Sequence, residues 1–270
     1  MGHGIAQVAA QAGFEVSLAD VSDELVQDGL NKIRSNLKKA VELGKLSELD
    51  AWRVIEQITP TTDFEDLATG ADLIVEAIVE KMDVKRGLFK RLGEVCTQEA
   101  ILATNTSSLS VTEIASAAVN PGRVIGMHFF NPPHIMKLIE VVVASQTSDH
   151  TLTTVLEVAQ RMGKEAITVK DSPGFATSRL GLALGLEAMR MLEEGVASAE
   201  DIDKAMMLGY NHPVGPLKLT DLVGLDVRLS IAEYLSEEFK TERFRPPDIL
   251  RRKVAEGKFG KKTGEGFYKW

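Results

Sequence analysis

The chain has 270 residues, of which 44% are hydrophobic and 26% charged, as in an ordinary globular protein of about two domains. Its formal net charge of −8, with no dense block of Lys or Arg, argues against nucleic-acid and membrane-surface partners. Because Cys96 is the single cysteine, a disulfide framework and a thiolate zinc site are excluded, and we expect no metal and a reducing, cytoplasmic location.

The first part of the chain is predicted to alternate between helices and strands. Apolar residues at helical spacing predict a helix up to Gly13, and residues 14–20 then alternate between apolar and polar types, as a strand does. Further helices are predicted over residues 22–43, 47–58 and 84–96. Further strands are predicted over residues 72–79, 100–104, 124–130, 138–143 and 166–169. This alternation predicts a Rossmann-type α/β fold with a doubly wound, mostly parallel sheet.

The pattern changes at the turn signal of residues 171–174, Asp-Ser-Pro-Gly. Beyond it the sequence predicts helices, among them residues 178–194 and a helix that begins after Ser198 and ends at Gly209. We therefore predict an α/β domain over residues 1–171 and a smaller, all-helical domain over residues 172–270. The apolar helical faces of this second domain exceed what so small a domain buries, which predicts a homodimer. They include Leu180, Leu184, Leu192 and the segment 217–229.

The N-terminal segment contains part of a dinucleotide site. Such a site needs a strand, a glycine turn, a helix whose N-terminus faces the pyrophosphate, and a second strand that ends in an acid. This chain lacks the first strand and the first two glycines, so we expect either an upstream start or a truncated chain. With Gly2 as the third glycine, Asp20 follows 18 residues later and would bind the adenosine ribose of NAD while repelling the 2′-phosphate of NADP. The segment fits an amphipathic helix and a strand with an exposed terminal acid equally well.

Three motifs in the middle of the chain are far more specific. They are Thr-Asn-Thr-Ser-Ser-Leu at residues 104–109, Gly-Met-His-Phe-Phe-Asn-Pro at 126–132 and Met-Lys-Leu-Ile-Glu-Val-Val at 136–142. Together they closely resemble the L-3-hydroxyacyl-CoA dehydrogenase family, which includes the 3-hydroxybutyryl-CoA dehydrogenases. The likeness continues to the tail at residues 260–268 and covers essentially the whole chain. It implies NAD-dependent interconversion of (S)-3-hydroxyacyl-CoA, short-chain 3-hydroxybutyryl-CoA above all, and 3-oxoacyl-CoA, as in fatty-acid β-oxidation.

His128 is the candidate base for the alcohol proton. An imidazole titrates near neutrality, and this one ends an apolar strand, where open α/β sheets form their ligand crevice. A lone histidine at a strand end is more often structural, but the surrounding motif reverses that expectation. The resemblance implies that Glu140, on the next strand, orients the imidazole.

The resemblance also implies roles for residues outside this pair. Ser107 would hydrogen-bond the substrate hydroxyl or carbonyl, and Asn131 would order nicotinamide and substrate. Ser178 stands where the family often has Asn; its hydroxyl can still hydrogen-bond, but its reach is shorter. The implied cofactor-binding residues are Gly2, Asp20, Glu80, Lys85, Asn105, Ser107, Asn131 and Lys262. Asn36 and Lys45 lie where the family holds CoA, although a solvated basic helix face explains them equally well.

Two alternatives stay open at this point. The same fold could serve a dehydrogenase of a free hydroxy acid or sugar acid, which CoA dependence would separate from the leading hypothesis. A non-catalytic relative with an NAD-type fold is the other. The joint presence of Ser107, His128, Asn131 and Glu140 argues against it, because an inactive descendant has no physical reason to keep that set.

Overall fold

The structure is a computed structural model that describes residues 1–270, except for the side chain of Asp66. It divides into two compact units, Met1–Asp171 and Ser172–Trp270, which are described one at a time. Among the described residues, no helix combines the length and the apolar character that a membrane span requires.

The first unit alternates helices with strands. Its helices are α1 (Gly2–Gln11), α2 (Asp23–Glu42), α3 (Glu48–Glu56), α4 (Phe64–Gly70), α5 (Met82–Val95), α6 (Val111–Ala115) and α7 (Asp149–Arg161). Its strands are β1 (Val16–Ala19), β2 (Ile58–Thr61), β3 (Leu73–Glu76), β4 (Ile101–Thr104), β5 (Val124–Phe129), β6 (Leu138–Val143) and β7 (Glu165–Lys170). A short 3₁₀ helix, Pro121–Arg123, precedes β5.

The strands form a pair, β1–β2, and a five-stranded sheet in the order β3-β4-β5-β6-β7. All neighbours run parallel except β5 and β6, which are antiparallel. This arrangement confirms the predicted α/β class with a mostly parallel sheet. Every residue of β4 and β5 is buried, as expected of strands covered on both faces. At Gly126, a Cβ atom would lie 2.7 Å from Val142 Cβ, so the close approach of β6 requires glycine there.

Several helices begin where the sequence predicts, because serine side chains cap them. Ser22, Ser47 and Ser198 each accept a hydrogen bond from a backbone N–H in the first turn of their helices. Such a cap stabilises a helix by about 1 kcal/mol. Ser148 caps α7 in the same way, through Thr151 N. Neither α7 nor α4 is among the helices predicted from the sequence.

The helix predicted over residues 47–58 is wrong at its C-terminal end. In the structure α3 ends at Glu56. Residues 58–61 form β2, whose parallel register with β1 places Ile58 beside Val16. Ile58 is buried in a core cluster with α1 and α2. Burial beside a neighbouring strand therefore outweighs the local helical pattern, since strand formation depends on tertiary context.

The second unit consists of helices: α8 (Thr177–Glu193), α9 (Ala199–Gly209), α10 (Pro216–Val223), α11 (Leu225–Phe239) and α12 (Asp248–Ala255). They pack around one apolar cluster that includes Leu186, Leu217 and Leu235. Two 3₁₀ helices, Glu242–Phe244 and Lys261–Thr263, complete it.

Two buried aspartates hold the C-terminal tail against these helices. The Asp221 carboxylate accepts hydrogen bonds from Phe267 N (2.8 Å), Tyr268 N (2.9 Å) and Trp270 Nε1 (2.9 Å). The Asp203 carboxylate accepts one from the Tyr268 hydroxyl at 2.7 Å. Burial and this hydrogen bond raise the pKa of the Tyr268 phenol. The tail is therefore fixed by buried carboxylates as well as by apolar packing.

Candidate active site

A histidine and a glutamate meet on neighbouring strands of the first unit. The antiparallel register of β5 and β6 places His128 directly opposite Glu140, with imidazole Nδ1 2.7 Å from carboxylate Oε2. Glu140 is fully buried and His128 is 7% exposed. An ionised carboxylate can only accept, so Nδ1–H donates this hydrogen bond to Glu140. The Phe130 ring, 4.6 Å away between centroids, packs against the imidazole.

A second cluster of charged side chains is centred on Lys85 of α5, whose side chain is only 1% exposed. Its ammonium lies 2.6 Å from Glu76 Oε1 and 3.3 Å from Glu80 Oε2. The other oxygen of Glu76 accepts a hydrogen bond from Thr104 Oγ1 at 2.7 Å. Because a buried charge is costly unless it is paired, the two glutamates are what allow Lys85 to lie inside the protein.

Glu80 also fixes the loop that follows β4. Its Oε1 accepts hydrogen bonds from Thr106 Oγ1 (2.6 Å), Ser107 N (2.8 Å) and Ser107 Oγ (3.1 Å). Glu80, Lys85 and Ser107 are separate candidates in the sequence, and the structure brings them into one network. Glu76 is not a candidate in the sequence, where its only signal is that an acid ends a buried apolar strand.

Asn105 ties two strand ends together. Its backbone N–H donates to the carbonyl of Glu76, and its side-chain Oδ1 accepts from Phe129 N, each at 2.8 Å. The carboxyl ends of β3, β4 and β5 therefore meet at one edge of the sheet, where open α/β sheets bind ligands. Asn131 lies exposed in the turn that follows β5.

The start of the first unit has an open surface. Asp20, which follows β1, is exposed, and α1 has no acidic residue in its first turn. Nothing lies within 4 Å of the position that a Cβ on Gly2 would occupy. Gly4 packs so tightly that its Cβ would lie 2.8 Å from Pro133, in the loop after β5. A helix start without an acidic residue, and a carboxylate just after β1, fit the pyrophosphate and ribose of a dinucleotide.

Two family models match nearly the whole chain. The 3-hydroxyacyl-CoA dehydrogenase NAD binding domain matches residues 1–172, and the C-terminal domain of the same enzymes matches residues 174–270. The chain belongs to the 3-hydroxyacyl-CoA dehydrogenase family. This confirms the resemblance seen in the sequence: the protein is an NAD-dependent 3-hydroxyacyl-CoA dehydrogenase, with NAD as its cofactor.

Individual relatives match this dehydrogenase over its full length. A probable 3-hydroxybutyryl-CoA dehydrogenase of Deinococcus radiodurans is 46% identical over 100% of this chain and 96% of its own. The 3-hydroxybutyryl-CoA dehydrogenase of Clostridioides difficile is 44% identical over 99% of this chain and 95% of its own. The crystal structure of (S)-3-hydroxybutyryl-CoA dehydrogenase from Ralstonia eutropha superposes with a TM-score of 0.97, at 41% identity, over 100% of this chain and 95% of that one.

The remaining predicted residues of the dehydrogenase lie elsewhere. On α2, Asn36 donates a hydrogen bond to the buried Gln7 at 3.1 Å, so it also fastens α2 to α1. Lys45, between α2 and α3, is exposed. In the second unit, Ser178 lies in the first turn of α8, and Lys262 Nζ lies 2.6 Å from the Asp226 carboxylate.

Proposed function

We propose that this dehydrogenase interconverts short-chain (S)-3-hydroxyacyl-CoA, with 3-hydroxybutyryl-CoA preferred, and 3-oxoacyl-CoA, with His128 as acid and base and Glu140 as its partner. The contact between His128 Nδ1 and Glu140 Oε2 carries the proposal. A buried carboxylate at this distance fixes the imidazole tautomer and stabilises the ring when it becomes charged. The names of the full-length relatives supply the substrate.

The proton and the hydride leave the alcohol by different routes. Bound NAD would supply the acceptor for the hydride that leaves C3 of the substrate. His128 Nε2 takes the hydroxyl proton in the same step, and it returns that proton to the C3 oxygen in the reverse reaction. Since His128 is nearly buried, little water competes with the substrate for Nε2.

Ser107 is proposed as the second group at the C3 oxygen. Glu80 accepts hydrogen bonds from both the backbone N–H and the hydroxyl of Ser107, and Lys85 and Glu76 support Glu80 from inside the protein. The backbone N–H bond to Glu80 holds Ser107 in place, and its single hydroxyl proton would turn from Glu80 to the C3 oxygen when the substrate binds. This network supports a positioning role for Glu80 and Lys85 at the cofactor and substrate.

The His128→Gln variant tests the acid–base assignment. Oxidation of NADH with acetoacetyl-CoA should fall about 10²- to 10⁴-fold, the range typical of a lost general acid, while NAD affinity stays nearly unchanged. His150→Gln, on the exposed surface of α7, is the matched control and should retain full turnover. Unchanged turnover in His128→Gln would refute the assignment. Comparable activity with free acetoacetate would instead favour the free-acid alternative.

A homodimer through the second unit is part of the proposal. Several large apolar side chains there are exposed: Leu180 (70%), Leu222 (46%), Val223 (41%) and Val227 (39%). Large exposed apolar side chains that lie together on one surface are typical of subunit interfaces. Analytical ultracentrifugation at micromolar concentration should show a dimer, and the paired substitution of Leu180 and Val227 by Asp should give monomers. A wild-type chain that sediments only as a monomer would disprove the dimer.

A further inference from the structure

The first unit contains a cavity of about 370 Å³ that none of the residues assigned above to the active site lines. It lies where the C-terminal half of α1, the loop between β5 and β6, and the segment that follows α7 come together. Ligand pockets in proteins begin at about 300 Å³, so the volume is sufficient for a small molecule.

The charged side chains that line this cavity all have the same sign. Lys137, Arg161 and Lys164 contribute three cations, whereas no aspartate or glutamate among the described residues lines it. The whole chain has a formal net charge of −8, so this local excess of positive charge runs against its composition. In the part of the chain that the structure describes, none of the three cations forms an ion pair. Cations gathered without carboxylates create a positive potential that attracts anions.

Lys164 is fixed in the lining, but its charge is not neutralised there. Its ammonium donates to the carbonyl oxygens of Pro133 and, at 2.8 Å, of Met136, and neither carbonyl carries a net charge. An ammonium has three N–H donors, so one more can meet a ligand. Burial lowers the pKa of Lys164, and burial together with the Lys164 charge lowers the pKa of His134. A bound anion would raise both pKa values, because it favours the charged forms.

Arg161 is held in a comparable way by the end of α1. Its Nε and one terminal nitrogen donate to the carbonyl oxygens of Ala12 and Gly13, at 3.1 and 3.0 Å. Its guanidinium also lies 3.9 Å from the centroid of the Phe14 ring. Five N–H donors are available on a guanidinium, so these contacts leave others for a ligand. A side chain that is already ordered loses little freedom on binding, which favours affinity.

Much of the remaining lining is apolar. Val8 and Met162 are buried, and Ile135, in the loop after β5, is 66% exposed. An apolar lining with a few convergent polar groups is typical of sites for small organic molecules. A ligand that matches both features has an anionic group and an apolar part.

We propose that this cavity binds a small organic anion, in which a short apolar chain ends in a carboxylate or a phosphate. Lys137, Arg161 and Lys164 hold the anionic group, since lysine and arginine bind carboxylates and phosphates alike. Val8, Ile135 and Met162 contact the apolar chain. This site is independent of the proposed function, because neither His128 nor Ser107 lines it.

Titration calorimetry on the whole dehydrogenase, saturated with NADH, tests the site with four probes: hexanoate, butyl phosphate, inorganic phosphate and hexanol. Hexanoate or butyl phosphate should bind with one site per chain, about 10-fold more tightly than inorganic phosphate, because burial of the chain adds affinity. The tighter of the two identifies the anionic group. Hexanol should not bind, since it has no charge.

The Lys137→Gln variant should lower the affinity for the organic anion about 10- to 100-fold, as expected when a hydrogen bond from a charged group is lost. Lys90→Gln, which removes an exposed lysine on α5, is the matched control and should keep full affinity. Unchanged affinity in Lys137→Gln would overturn the inference, because the anion would then occupy another site. Equal affinities for inorganic and butyl phosphate would overturn it as well, since the apolar lining would contribute nothing.

A second measurement needs no substitution. In an NMR pH titration of the wild type, the organic anion should raise the pKa of His134, and the signals of the exposed His150 should not move. Unmoved His134 signals at saturating anion, or no binding of any probe, would also refute the site. Turnover of acetoacetyl-CoA is measured separately, so either result leaves the proposed function intact.

Discussion

Buried carboxylates occur in both units, but their partners differ. In the first unit, Glu140 contacts an imidazole and Glu76 contacts the ammonium of Lys85, and imidazole is a group that can take up or release a proton near neutrality. In the second unit, Asp221 accepts only from backbone N–H groups and an indole, which do not titrate. Burial of an acid is therefore no sign of catalysis. The chemistry of its partner separates the two cases.

The largest expected effect comes from breaking the first kind of contact. Glu140→Gln keeps the shape of the side chain but removes the charge that stabilises a protonated His128 and fixes its tautomer. The kcat with acetoacetyl-CoA should fall by about 10⁴-fold, as for the comparable change in a catalytic triad. Steady-state kinetics measure this, with Tm as the check on folding. Turnover within a factor of two of wild type would mean that Glu140 is a structural residue like Asp221.

Breaking the second kind of contact, in which a buried carboxylate meets donors that do not titrate, should lower the stability of the fold and not the catalytic rate. Asp221→Ala leaves the N–H donors of Phe267, Tyr268 and Trp270 without their acceptor, and each unsatisfied donor costs about 1–3 kcal/mol. The free energy of unfolding, measured by urea titration, should fall by about 3 kcal/mol or more. The pH dependence of kcat should not move, since Asp221 contacts no titrating group of the reaction. A shifted pH profile of kcat at unchanged stability would contradict the distinction between the carboxylates of the first unit and Asp221.

The smallest effect concerns Tyr268, which bonds to Asp203. Because burial raises its pKa above the ordinary value of about 10, its neutral form favours the folded state. This contribution is fully present below pH 10 and is lost as the pH rises through the folded-state pKa. Between pH 9 and 11, the Tm of wild type should therefore fall more steeply than that of Tyr268→Phe. Parallel Tm curves for the two proteins would contradict this expectation.

Local sequence signals predicted much of the fold. The serine caps at positions 22, 47 and 198 and the apolar runs that became β4 and β5 depend on neighbours in the chain, and their predicted positions agree with the structure. The helix expected to continue to residue 58 failed because β2 pairs with a strand some 40 residues earlier. Helix–strand choices of that kind depend on partners that a local pattern does not contain.

For the candidate site, too, local motifs predicted some features and the fold alone decided others. The motifs around Ser107, His128 and Glu140 assigned the family without any structure, because several long motifs in order are specific. They did not reveal that Lys85 is buried between two glutamates or that Asn36 fastens α2 to α1. The roles of the individual site residues, Gly2 and Lys45 among them, stay predictions.

By itself, the sequence determined the α/β class, the start points of several helices, the family and the NAD cofactor. Only the tertiary structure decided which residues meet. A shift of one residue in the β5–β6 register would turn His128 away from Glu140, since successive side chains on a strand point to opposite faces. Helix caps and apolar runs are set by covalent neighbours, whereas charge pairs and burial depend on residues brought together by the fold.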